Sequence, residues 1–182
     1  RLEPSNVYGR TKLQCEERIR DFCRKSGITF ANLRYFNVAG DGGLGYVDPM
    51  PENVLPIIME TLIGERKEFI IFGTDYVTKD GTCLRDYIHV SDLVRAHILA
   101  LAVEESITVN LGTSNGYTVL ELAKTTEEIT GKRLNYRFGP RRAGDPDALV
   151  ASYQKAKEIL GWEPEKNIKE MIGSAFKVYE KL

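Results

Sequence analysis

The stretch that decides the fold class is YGRTKLQCEERIRDFCRKSGITFANLRYF, residues 8–36. At about 8–25, apolar side chains recur at helical spacing, and Gly27 is the residue type that commonly ends a helix. The run 28–36 is apolar and rich in β-branched and aromatic residues, which predicts a buried strand. Helical and strand patterns keep alternating beyond this stretch. The sequence therefore predicts an α/β fold, with one domain, or a piece of a larger one, over residues 1–182.

Composition narrows the class of protein. The chain has 182 residues, 42% of them hydrophobic, which is enough for a core. The net charge of −1 excludes the strongly basic face of a nucleic-acid binder. Apolar runs are short, so we expect no membrane-spanning segment. Cys15, Cys23 and Cys83 lack metal-ligand spacing, so we predict no metal site and reduced thiols in a cytoplasmic protein. The chain starts at Arg1 without a methionine, and we interpret it as a fragment or a processed chain.

Tyr8 and Lys12 form the catalytic candidate. Residues at i and i+4 share one face of a helix, and this pair extends the apolar stripe of Cys15 and Ile19. We therefore expect both side chains to face protein rather than bulk water. A phenol ordinarily has a pKa near 10, and a close cation favours the phenolate, which is a base. The alternative is an ordinary helix that happens to carry tyrosine and lysine four residues apart.

Polar and cationic side chains recur in RYFN (34–37), DGTCLRDYIHV (80–90) and PRRAGD (140–145). Asn37 follows a predicted strand, where α/β folds place ligands. The planar fork of arginine suits phosphate oxygens, so Arg85 and the 140–145 loop are candidates for binding a diphosphate. The alternatives are a turn-forming asparagine, an internal Arg85–Asp86 salt bridge and a solvated charged loop.

The segment GDGGLG, residues 40–45, formally matches a dinucleotide-binding fingerprint. Such a fingerprint must open a helix directly, so that the helix N-terminus meets the pyrophosphate. Here Pro49 and Pro51 follow closely, and they favour a loop. We therefore interpret residues 40–45 as a loop beside the substrate and not as an NAD site.

Taken together, these stretches resemble the UDP-glucose 4-epimerase (UDP-galactose 4-epimerase) family of the extended short-chain dehydrogenase/reductase superfamily. The matching pieces span most of the chain: Tyr8-x-x-x-Lys12, LRYFN (33–37), NVLP (53–56), IFGTDY (71–76), DGTCLRDYIHV (80–90), NLG (110–112) and PRRAGD (140–145). The Tyr-x-x-x-Lys spacing marks only the superfamily, whereas residues 72–76 and 82–90 point to the epimerases. The resemblance implies the C-terminal portion of an extended Rossmann-type fold, without the N-terminal dinucleotide-binding portion.

The resemblance also implies a reaction and its residues. Tyr8 would take the 4′-hydroxyl proton while tightly held NAD takes the C4′ hydride, and the 4-keto sugar would rotate before the hydride returns. Lys12 and Tyr35 would join Tyr8 at the cofactor. The substrate-binding residues would be Asn37, Asn53, Val54, Phe72, Arg85, Arg142, Asp145 and Leu149. The full-length form would be a homodimer.

Two features qualify this resemblance. The glycine-rich NAD-binding unit lies upstream of the tyrosine in this family, so we expect the chain to be inactive without its upstream half and to expose apolar surface. Leu149 occupies a sugar-pocket position and leaves acceptance of N-acetylated UDP-sugars open. The alternative functions are a nucleotide-sugar 4,6-dehydratase of the same superfamily and a non-catalytic nucleotide-sugar binding module.

Overall fold

The computed structural model describes Pro4 and residues 6–182; the predicted boundary at Arg1 lies outside the described residues. The elements, in chain order, are α1 Val7–Ser26, β1 Ala31–Tyr35, β2 Asn37–Ala39, α2 Val54–Ile63, β3 Phe69–Phe72, β4 Leu84–His89, α3 Val90–Ala100, β5 Ile107–Leu111, β6 Gly116–Thr118, α4 Val119–Thr130, β7 Tyr136–Gly139, β8 Ala148–Leu149, α5 Gln154–Leu160 and α6 Ile168–Tyr179. The α/β prediction is confirmed. The short strands β2, β6 and β8 are not evident from the sequence pattern, since two or three residues show no periodicity.

Parallel pairing dominates the sheets. β1 pairs with β5, β2 with β4, and β3 with β7, each in parallel register. β4 also takes β6 antiparallel and β8 parallel along its first residues. The chain passes from β1 to β2 across Phe36, so consecutive strands enter different sheets. Strand β4 therefore lies at the junction where three segments distant in sequence meet.

Two hydrophobic clusters support these sheets. One lies among α2, α4 and α6 and includes the fully buried Ile58, Leu122 and Ile172. The other lies between β1, β5, α3 and α5 around the fully buried Trp162, whose indole N–H donates to the Asp92 carbonyl oxygen at 2.9 Å. Trp162 therefore has a packing role in this cluster. No helix within the described residues is long and apolar enough to cross a membrane.

The helix that carries Tyr8 and Lys12 is long but lightly packed. Asn6 caps its start by accepting from the Gly9 N–H, and Gly27, at φ +67°, ends it as predicted. Cys23 is its one buried side chain in the described structure. The prediction that Tyr8, Lys12 and Cys15 face protein is wrong for this chain, since all three are exposed. The face toward the body carries Leu13, Glu16 and Cys23 instead, roughly a quarter of a turn away.

Two further local predictions need correction. The 28–36 strand is shorter than expected, and its residues are half-buried rather than buried. At the start of α3, the general preference of caps for serine and aspartate predicts Ser91 or Asp92. The cap is instead His89, whose Nδ1 accepts from the Ser91 N–H at 3.1 Å. At the start of α4, the sequence TVLE (118–121) predicts a capping box between Thr118 and Glu121, and the structure has it.

Candidate functional site

The tyrosine–lysine pair lies together on the exposed face of α1. The Lys12 ammonium is 5.3 Å from the centroid of the Tyr8 ring, within the range of a cation–π contact. The Tyr8 side chain is 71% exposed. The helix thus holds a phenol and a cation adjacent on an exposed surface.

A second group of predicted residues forms where β3 and β7 end. These parallel strands pair in register, with Phe72 opposite Gly139, so both carboxyl ends reach the same edge. The loop leaving β7 places the Arg142 guanidinium 4.0 Å from the Phe72 ring centroid. Arg141 stacks on Tyr76 instead and pairs with Asp147 at 2.7 Å, so it holds the loop. Among the described residues, Arg142 makes no ion pair and is exposed, and a guanidinium is a strong donor to anions.

Arg85 joins this group from β4. Its guanidinium donates to the carbonyl oxygens of Leu84 and Pro146 at 2.8 and 3.0 Å, and lies 3.8 Å from the Asp145 carboxylate. Leu149 pairs with Arg85 in the β4–β8 register. The Asp145 N–H donates to the Arg142 carbonyl oxygen at 3.3 Å, which joins these contacts to those of Arg142 and Phe72. We call Phe72, Arg85, Arg142, Asp145 and Leu149 the clamp cluster.

Asn37 contacts β4, the strand that carries Arg85 of the clamp cluster. It is the first residue of β2, directly beyond the end of β1, and its side-chain amide donates to the Asp86 carbonyl oxygen at 2.9 Å. Asn53 lies in the N-cap position of α2 but makes no capping hydrogen bond, which leaves its amide available, and Val54 follows it. The places of Asn53 and Val54 relative to the clamp cluster stay predictions.

Tyr35, the third predicted cofactor residue, is the last residue of β1. Its ring is 53% exposed and lies 6.3 Å from the ring of His97, centroid to centroid. It lies one peptide from Phe36 and two from Asn37, so the predicted cofactor and substrate residues are adjacent along this segment. Its predicted contact with a cofactor stays a prediction.

Arg34 and Asp86, which lie in the stretches 34–37 and 80–90, make contacts within the chain. Arg34 forms a forked ion pair with Glu16 of α1, with Nε 2.6 Å from one carboxylate oxygen, so Arg34 is engaged within the chain. This contact with Glu16 raises the pKa of Arg34. Asp86 does not pair with Arg85. Its fully buried carboxylate accepts from the Thr113 N–H and hydroxyl and from the Ala151 N–H.

Asp86 thus ties β4 to the turn after β5 and to the segment after β8. Gly112 allows this approach, because an added Cβ would lie 2.6 Å from the Ala151 Cβ and would meet the Asp86 carboxylate. Sequence reasoning missed this role, although the buried strand around Asp86 and the adjacent Gly112 were both within matched motifs. A charged residue in an apolar strand is a signal for a buried hydrogen-bonded carboxylate.

Residues 40–45 form a loop, as predicted. No helix begins directly after it, since α2 starts at Val54, and the N–H groups of Gly43 and Gly45 donate to the Asp41 carboxylate at 2.8 and 3.1 Å. Those N–H groups are therefore not open to a pyrophosphate. No cluster of possible metal ligands occurs in the part of the chain that the structure describes.

The three cysteines and one cavity make no direct contribution to the predicted site. Cys23 and Cys83 are buried and Cys15 is exposed, which corrects the packing expected for Cys15. Burial raises the pKa of the Cys83 thiol, so it stays neutral beside the clamp cluster. A cavity of about 290 Å³ between β4, β6 and the start of α6 contains none of the predicted site residues. In the clamp cluster, Arg142 and Leu149 are exposed, whereas the Arg85 side chain is only 14% exposed.

Comparisons with known proteins give the family. Residues 1–112 match the model of the NAD dependent epimerase/dehydratase family. The chain is 45% identical to a UDP-glucose 4-epimerase of Lactobacillus helveticus over 97% of this chain and 56% of that protein. It is also similar to the crystal structure of UDP-glucose 4-epimerase from Stenotrophomonas maltophila with bound NAD and formylated UDP-arabinopyranose, at 38% identity and a TM-score of 0.89, covering 96% of this chain and 55% of that one.

The epimerase of Bifidobacterium longum, solved with NAD+ and UDP, is similar at 37% identity with a TM-score of 0.89, covering 97% of this chain and 55% of that one. These matches confirm the resemblance and the partial Rossmann-type fold. The chain spans about half the length of the curated relatives it matches.

Proposed function

The chain belongs to the NAD dependent epimerase/dehydratase family, and we propose that it is the C-terminal, substrate-binding portion of a UDP-glucose 4-epimerase. In this proposal the parent enzyme interconverts UDP-glucose and UDP-galactose by inverting C4 of the sugar. The observation that carries it is the clamp cluster, in which two guanidinium groups, an aromatic ring and a carboxylate converge beside strand ends. That set matches the diphosphate, base and ribose of a nucleotide sugar.

Each residue has a role that its chemistry allows. Arg85 and Arg142 bind the diphosphate, with Asn37 beside them, and Phe72 and Asn53 with Val54 line the uridine. Asp145 accepts from the ribose hydroxyls. Leu149, a mid-sized apolar side chain, borders the sugar.

Tyr8 and Lys12 act at the sugar and the cofactor. Tyr8 removes the proton from the 4′-hydroxyl as general base, and Lys12 stabilises its phenolate and holds the nicotinamide ribose with Tyr35. The adjacent phenol and ammonium on α1 fit a bound nicotinamide nucleotide. NAD, when bound, supplies the acceptor and then the donor of the C4′ hydride.

Two alternative functions stay open to test. A 4,6-dehydratase of the same family would convert the nucleotide sugar with loss of water, and a binding module would hold it without turnover. The presence of both Tyr8 and Lys12 favours a catalytic protein over a binding module. The extent of the match to epimerases favours epimerisation over dehydration.

The partner in this proposal is the upstream portion of the same enzyme, which carries the dinucleotide-binding unit. The exposed apolar side chains of α1, among them Val7, Tyr8 and Phe22, give that portion or a second subunit a surface to cover. We propose a homodimer in the cytoplasm for the parent enzyme. The chain alone is expected to be inactive.

The test is complementation. The chain is incubated with UDP-galactose and NAD, first alone and then with the upstream portion of its parent or the corresponding half of the Lactobacillus helveticus relative, and UDP-glucose is quantified. Turnover only in the mixture supports the proposal, and Tyr8→Phe is expected to abolish that turnover. Turnover by the chain alone would contradict the half-enzyme proposal, and a 4-keto-6-deoxy product would identify a dehydratase.

The matched control replaces Tyr136 by phenylalanine. Tyr136 lies at the first residue of β7, opposite Phe69 and three residues before Gly139, and it belongs to none of the proposed sites. Tyr136→Phe keeps the ring and is expected to leave the turnover of the mixture within about twofold, because substitutions away from a site have small effects.

A further inference from the structure

The N-terminal part of α1 has little apolar packing to fix its position. Within the described residues, no side chain from Val7 to Phe22 is fully buried. The buried Cys23 lies near the other end of the helix. Catalysis by Tyr8 nevertheless needs its oxygen placed to within about an ångström, since a misplacement of that size lowers rates by about a hundredfold. Within this chain, a contact other than apolar packing must therefore set where this part of the helix lies.

Glu16 and Arg34 make that contact. Their side chains are 14% and 31% exposed, and the fork of Arg34 meets both carboxylate oxygens. Two parallel bonds fix orientation as well as distance, which a single bond does not. Glu16 lies one helical turn beyond Lys12 and two beyond Tyr8, so the contact acts close to the catalytic pair.

Arg34, the other residue of the ion pair, lies close to predicted site residues. Arg34 precedes Tyr35 and lies three residues before Asn37, and its strand β1 is held in parallel register to β5. A rigid strand therefore carries Arg34 together with residues assigned to the cofactor and the substrate. The ion pair spans the gap between this strand and the catalytic helix.

We infer that Glu16 and Arg34 are positioning residues, whose forked ion pair sets the helix bearing Tyr8 and Lys12 against the strand that leads to Tyr35 and Asn37. This inference deepens the proposed function and rests on it for its catalytic consequence. The pair touches neither reacting atom, so its loss acts on kcat through placement. Binding of the UDP moiety depends on the clamp cluster and is left in place.

The test uses Glu16→Gln and Arg34→Met, singly and together, with Glu60→Gln as the matched control. Glu60 pairs with Arg66 at 2.8 Å and is 21% exposed, but it lies in α2, two turns beyond Asn53. Hydrogen exchange of the α1 amides is measured in the chain itself, and kcat and KM are measured in the complemented enzyme. We expect Glu16→Gln and Arg34→Met each to speed exchange at 13–20 and lower kcat about tenfold or more, with KM for the UDP-sugar within about twofold.

A pH profile separates positioning from a field effect. Removing the negative Glu16 favours the phenolate of Tyr8, whereas removing the positive Arg34 disfavours it. A field effect would thus shift the acidic limb of the kcat profile in opposite directions in the two variants. Positioning lowers the plateau in both, leaves the limb in place, and makes the double variant no worse than either single one.

Failure of the inference is distinguishable from failure of the proposed function. If the wild-type mixture shows no turnover, the function is wrong and the exchange data alone decide whether the pair positions α1. Unchanged exchange at 13–20 in both single variants would overturn the inference. So would faster exchange with an unchanged kcat, or opposite shifts of the acidic limb.

Discussion

Replacing Asp86 by asparagine is expected to destabilise the fold far more than an isosteric change usually does. The carboxylate is fully buried and accepts from the Thr113 N–H at 3.0 Å, from the Thr113 hydroxyl and from the Ala151 N–H at 3.1 Å. An asparagine side chain keeps one acceptor oxygen and turns an NH2 group toward a remaining donor. The best amide orientation keeps the contacts to Thr113 and leaves the Ala151 N–H without an acceptor.

The magnitude follows from those bonds. A buried donor without a partner costs about 1–3 kcal/mol, and the lost charge assistance of the other two bonds adds about 1 kcal/mol. The sum of about 2–4 kcal/mol is a large share of the roughly 5–15 kcal/mol that stabilises a typical domain. With a slope of about 2–3 kcal/mol per molar urea, the midpoint falls by about 1 M.

Urea unfolding measures this loss directly. Trp162 is the sole tryptophan and is fully buried, so its fluorescence reports unfolding, with far-UV circular dichroism as a second probe. Asp41→Asn is the control, because Asp41 also accepts two backbone N–H groups but in an exposed loop, and about 0.5 kcal/mol is expected there. An Asp86→Asn variant within about 0.5 kcal/mol of wild type would refute the reasoning.

Two other predictions concern pH and the clamp cluster. Burial lowers the pKa of His89 below its ordinary 6.5, so the unfolded state binds the proton more readily than the folded state. The stability that neutral His89 contributes is therefore full above pH 6.5 and is lost as the pH falls below 6.5. The free energy of unfolding, measured with denaturant between pH 7 and 5, should show this loss. The variant His89→Asn, which retains a capping acceptor, should lose less stability over the same range. Equal slopes of unfolding free energy against pH in wild type and variant would contradict the prediction. Arg142→Lys loses the planar stack on Phe72 and should weaken UDP binding to the complemented enzyme about fivefold to tenfold by calorimetry. Arg137→Lys, in an exposed ion pair with Glu68, should leave that affinity unchanged, and equal affinities in both variants would exclude the stack.

Local patterns predicted the elements that have periodicity and distinct ends. The helix at residues 8–25 was placed within a residue at each end, because its capping glycine and helical spacing are local signals. The capping box at Thr118 and Glu121 likewise depends only on near neighbours. Strand β8 has two residues, and its existence depends on pairing with Leu84 and Arg85, some sixty positions earlier in the chain, which no local pattern encodes.

The site shows the same division. Side-chain type sufficed to propose arginine at a diphosphate, and the structure brings Arg85 and Arg142 into one group with Phe72. Side-chain type alone did not distinguish Arg142 from Arg34, because both are arginines near a strand end. Arg34 lies just before the end of β1, and Arg142 lies just after the end of β7. What separates them is the partner that each one contacts: Arg34 pairs with Glu16, eighteen residues earlier in α1, whereas Arg142 stacks on the Phe72 ring. Such partners are tertiary facts.

The wrong prediction about the face of α1 has a physical cause that supports the proposed function. Hydrophobic periodicity indicates which face of a helix is buried in the functional protein. The face that carries Tyr8, Cys15 and Ile19 is exposed in this chain. A helix of a self-contained domain would turn its apolar stripe inward, yet here the inward face carries Glu16 with its ion pair. The proposed function would bury this stripe against further polypeptide, and the chain spans only 56% of the Lactobacillus helveticus relative. An ion pair on the inner face then has a clear use, because it orients the helix before that outer contact forms.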